Sequence, residues 1–111
     1  MHYRVYFLFE RAGEAISSAR AIEVSQREIR EQLLPRLQHD DDYLGIIDPA
    51  DNTLQIFRER GGERYWVELP IDAAKASYAR VMDHDEVDQL LRELPAVFDR
   101  EAIPGLEYRP W

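Results

Sequence analysis

The chain has 111 residues, no cysteine and a formal net charge of −8. A length of this order suits one domain around one core, and the missing cysteines exclude thiol catalysis, disulfide frameworks and thiolate metal sites. The charge is uneven: residues 1–38 carry six Arg against five Asp or Glu, whereas residues 39–111 carry eight Lys or Arg against seventeen Asp or Glu.

The first predicted element is a strand over 3–10, where Tyr3, Val5, Phe7 and Phe9 fall on one face at period two. A looser segment follows from Arg11 to Ser18, and Ala21 to Val24 reads as a second short strand. Ser25 with Glu28 matches a capping box and opens a helix with Ile29, Leu33, Leu34 and Leu37 on its apolar stripe. Pro35 cannot donate to the carbonyl of Glu31, so that helix ends or kinks there. His39 to Asp42 reads as a charged loop, Tyr43 to Ile47 as a strand, and residues 48–52 as a turn. Strands over 53–60 and 64–71 flank Gly61-Gly62, a hairpin turn in which glycine takes positive φ without penalty. A further strand over 77–82 precedes Asp83, which caps a second helix with Glu86 three residues on and Val87, Leu90, Leu91 and Leu94 as its buried stripe. Pro95 stops it, and residues 95–111 form an extended tail that packs on the domain. The fold class expected is α+β, a single antiparallel sheet of about five strands with two helices packed on one face.

If Val5, Phe7, Leu54, Ile56, Val67 and Leu69 point at the helices, the opposite parity leaves Tyr6, Leu8, Phe57 and Trp66 on the second face. That is more apolar surface than a small monomer usually leaves wet. Two explanations compete: cover by the tail with Phe98, Tyr108 and Trp111, or a docking surface for another chain or a second copy.

Catalytic and metal signatures are weak. His39 beside three aspartates and His84 between Asp83 and Asp85 are the only sensible general bases, and their spacing matches no ligand pattern. None of Ser17, Ser18, Ser25 and Ser77 lies in a nucleophile turn, and Gly61-Gly62 lacks the Gly-Lys-Ser/Thr ending of a phosphate loop. The net charge opposes nucleic-acid binding, because phosphate neutralisation supplies most of such affinity. No apolar run is long enough for a membrane span or a secretory signal, so the expected location is the cytoplasm.

The reading that follows is a non-catalytic acidic protein, without metal or cofactor, that recognises or masks a basic protein partner, as immunity proteins and inhibitors do. The contacts expected are Asp40, Asp41, Asp42, Trp66, Asp83, Asp85 and Glu86. The alternative is a structural or regulatory homodimer that pairs through the aromatic sheet face.

Overall fold

Tyr3, Val5, Phe7 and Phe9 all turn into the core, as their spacing predicts, and they make strand β1 (His2–Phe9) the hub of the sheet. The computed structural model describes residues 1–59 and 63–111. The glycine hairpin turn read at Gly61-Gly62 therefore lies outside the described residues.

Among the described residues the sheet has eight strands rather than about five, and all their pairings are antiparallel. One edge of β1 holds two short strands, β2 (Glu14–Ile16) and β3 (Ile22–Ser25). Its other edge pairs with β4 (Tyr43–Ile47). From there the chain runs as a meander through β5 (Thr53–Arg58), β6 (Tyr65–Ile71) and β7 (Ala76–Met82), and β8 (Glu107–Pro110) closes the far side. The strands not predicted are β2 and β8, both at the margins. In β2 only Ile16 packs against the core, and β8 is exposed throughout, so neither shows the alternation that marks a half-buried strand.

Both capping boxes form. The Ser25 hydroxyl accepts the Glu28 N–H, Asp83 accepts the Glu86 N–H, and each glutamate reaches back to the cap residue's N–H. Helix α1 (Gln26–Glu28) continues as a π turn over Ile29–Leu33 and a 3-10 turn over Leu34–Arg36. The Leu34 N–H donates to the Ile29 carbonyl. The ladder widens directly before Pro35, where it has lost a donor. Helix α2 (His84–Arg92) buries Val87 and Leu91 against the same sheet face. Gln26 joins the two helical segments by donating to the carbonyls of Leu91 and Arg92 at 2.7 and 2.8 Å.

The core lies between these helices and one face of the sheet. Val5, Leu54, Ile56 and Val67 are fully buried there, each side chain contributing roughly 1.5–3 kcal/mol. Of the tail, Arg109 reaches the second face, over the Trp66 ring, but Phe98 and Trp111 do not cover it. Phe98 and Ile103 enter the core on the helix side, β8 extends the sheet beyond β7, and Trp111 is 66% exposed.

Candidate functional site

Helix α2 carries more apolar residues than the core takes. Val87 and Leu91 are buried, but Leu90 sits at the flank of the stripe and is only partly covered. The loop through 102–104 runs opposite it, leaving a groove of about 420 Å³ with Met82, Leu90 and Ile103 in its wall. Four carboxylates line the same groove, those of Asp83, Asp85, Glu86 and Glu93, against the single guanidinium of Arg80.

These carboxylates have different work. Asp83 is held as the helix cap, its Oδ1 accepting the Glu86 N–H at 2.8 Å. Glu86 returns a bond to the Asp83 N–H at 3.2 Å and pairs with Arg80. Asp85 is fully exposed, with the His84 Nδ1 atom 3.9 Å away, and Glu93 accepts from Gln89 at 2.6 Å. Asp85 and Glu93 are therefore the rim charges least committed to the fold. The Arg80 guanidinium packs against Gly105. This glycine has φ +82, and a Cβ there would stand 2.9 Å from Arg80 Nη1.

The seven residues expected as contacts do not form one surface. Asp83, Asp85 and Glu86 come together in the groove. Asp40 and Asp41 are exposed in the loop before β4. The register of β4 through β7 puts that loop at the same end of the sheet as Asp83, but three strands away, roughly 15 Å at ~4.8 Å per strand. Asp42 is 1% exposed and unavailable to a partner. Its carboxylate accepts the N–H groups of Glu10, Gln38 and His39 at 3.0–3.2 Å, which closes the loop. Trp66 lies on the sheet face away from the helices, its indole N–H donating to Glu68 and Arg109 stacked 5.7 Å from its ring.

Sequence reasoning missed Arg80, Glu93 and the 102–104 loop, and placed Leu90 wholly in the core. The one available signal was Leu90 itself, a third apolar residue on a nine-residue helix that buries only Val87 and Leu91. A larger cleft of about 590 Å³ opens near the β4–β5 turn, lined in part by Asp51, Asp99 and Arg100. There Asp51 is neutralised by Arg4, and Asp99 accepts the N–H groups of Glu101 and Ala102. The groove beside α2 is thus the cleft with the larger uncompensated charge.

Among the described residues, no group of three or more His, Asp or Glu is placed to hold a metal ion, and no helix is long and apolar enough to cross a membrane. Comparison with known proteins gives no match, whether to family models, to curated proteins or to solved structures.

Proposed function

We propose that this is a non-catalytic binding protein that takes a basic segment of a partner protein into the groove beside α2, in the manner of an inhibitor or immunity protein. The observation that carries this reading is the pairing of an apolar wall with a rim of four carboxylates and one arginine. An apolar side chain of the partner covers Leu90, Ala102 and Pro104, above the buried Met82 and Ile103, while its neighbouring Lys or Arg side chains meet Asp85 and Glu93.

The two contributions have different sizes. Exposed ion pairs such as those at Asp85 and Glu93 are worth about 0.2–1 kcal/mol each, so they cannot hold a complex alone. Burying one large apolar side chain contributes roughly 1.5–3 kcal/mol. The apolar contact therefore sets the lifetime, and the charges set the encounter rate, its salt dependence and the choice of a basic partner.

The test is a titration of isotope-labelled protein with a peptide alternating Arg and Leu, beside a Glu/Leu control, followed by amide chemical shifts. Shifts should concentrate on α2, Met82 and residues 102–104, be absent with the control, and fade when salt is raised from about 50 to 500 mM, which shortens the Debye length about threefold. The double variant D85K/E93K should weaken binding about tenfold, chiefly through the association rate. Shifts scattered over the surface, or an equal response to the acidic control, would remove the proposal.

A further inference from the structure

The sheet face away from the helices has an order of its own. The strand registers align Leu8, Tyr43, Phe57, Trp66 and Val81 in one row across β1, β4, β5, β6 and β7. The row is symmetrical in kind: Phe57 stands at the centre, an aromatic residue on each side, an aliphatic residue at each end. Neighbouring rings touch, with Tyr43 5.9 Å from Phe57 and 6.3 Å from Tyr6. The four large residues of the row, Leu8, Tyr43, Phe57 and Trp66, are only partly covered.

This face is less acidic than the molecule as a whole. Arg4, Arg64 and Arg109 stand with Glu23, Glu59, Glu68, Glu107 and the Asp51 that pairs with Arg4, a net of −2 on a molecule of −8. A strongly basic partner has little to hold here, and a second acidic copy meets little repulsion. The charges are also placed at opposite margins. Glu23 stands opposite Arg4 in register beyond β1, and Arg109 stands opposite Ser77 beyond β7, where it reaches Glu107 at 3.0 Å and lies over the edge of the row at the Trp66 ring.

We infer that a second copy of this chain packs on this face, forming a two-fold, face-to-face dimer. A two-fold axis along the strands and through Phe57 lays the row on its own reverse, so that Phe57 meets Phe57, Tyr43 meets Trp66, and Leu8 meets Val81. The same rotation brings Glu23 over Arg109 of the second copy, and Arg109 over Glu23 of the second copy. Such an isologous contact joins two sheets into a sandwich, with strand directions within about 30° of each other. Strand spacing of about 4.8 Å and a same-face repeat of about 6.8 Å give this face roughly 500 Å² per copy, and roughly 1,000 Å² for the pair, the lower bound for a specific interface. The contact does not involve the α2 groove, which lies on the helix side.

Sedimentation equilibrium over about 5–500 µM, the range suited to an interface of this size, tests the arrangement. The wild type should shift from monomer to dimer with concentration. F57E places two carboxylates against each other across the axis and should weaken association at least tenfold. E23R and R109E should each weaken it several-fold, and the double swap E23R/R109E should restore it. Glu23 and Arg109 are exposed, so the swap reads the interface even where F57E fails to fold. D85K/E93K, on the helix side, should dimerise like the wild type whatever becomes of its peptide binding. A monomer at the highest concentration, a dimer indifferent to F57E in folded protein, or a double swap that fails to restore association would each overturn the inference.

Discussion

Tyr6 and Gly45 are cross-strand partners that fit together only because one of them has no side chain. The Tyr6 ring lies across Gly45 and its hydroxyl accepts from Gln55, so Tyr6 is 8% exposed although it faces away from the core. A Cβ at position 45 would stand 2.0 Å from Tyr6 Cζ. Gly45→Ala must therefore rotate the ring away and break the Gln55 bond, at a cost of about 1–3 kcal/mol. Urea unfolding should show that loss, and Tyr6→Ser combined with Gly45→Ala should cost less than the sum of the two, because the clash disappears with the ring. Buried carboxylates show where charge counting fails at this scale. Asp40, Asp41 and Asp42 read as one acidic run, yet Asp42 turns inward to bind three backbone N–H groups. An aspartate in a loop closes turns as readily as it meets solvent, and composition does not distinguish the two.

At the scale of elements, the strands with alternating large apolar residues and the two capped helical starts were legible in the sequence. Asp83 shows why: cap, Glu86 and the apolar stripe all lie within one turn or two of each other. Asp83→Ala should destabilise the protein by about 1 kcal/mol, and Asp83→Ser should recover most of it, since serine caps nearly as well. The same unfolding experiment reads both. The π turn before Pro35 was not legible beyond a kink, because one missing N–H permits a break, a bend or a wider turn, and tertiary packing selects among them. Strands β2 and β8 were missed because their place is fixed by main-chain bonds to β1 and β7, which leave no trace in side-chain pattern. The groove suffered similarly: its α2 side is local in sequence, but Arg80 and residues 102–104 reach it only through the fold.

For the whole molecule, the acid-rich segment does not act as one charged surface. Asp48 is fully buried at the β4–β5 turn, where it accepts the N–H groups of Ala50 and Asn52, the Asn52 amide and the Phe98 N–H. Burial alone would raise its pKa, but those hydrogen bonds, the Phe98 N–H foremost, outweigh it and hold the carboxyl below the ordinary value. Asp88 is lowered as well, chiefly by the bond from Arg92 and further by Arg30. A carboxyl whose folded pKa lies below its unfolded value of about 3.9 stabilises the fold at higher pH and loses that contribution as pH falls through the folded value. The urea midpoint should thus hold steady from neutral pH to about 5 and drop below about pH 4. In Asp48→Asn the midpoint at neutral pH should be lower and the acid slope shallower; an unchanged slope would show that Asp48 does not carry it.

The margins of the sheet have a consequence for how copies can assemble. On one side β2 and β3 are three and four residues long, with the turn Ser18–Arg20 interrupting them, and they carry Glu14 and Glu23. On the other, β8 has four residues, two of them charged, and its last is a proline without an N–H. Short, charged and broken borders are poor templates for lateral strand addition. Growth into ribbons or fibrils is therefore discouraged at both sides, and an association through the flat of the sheet terminates at two subunits, as a closed particle of fixed size.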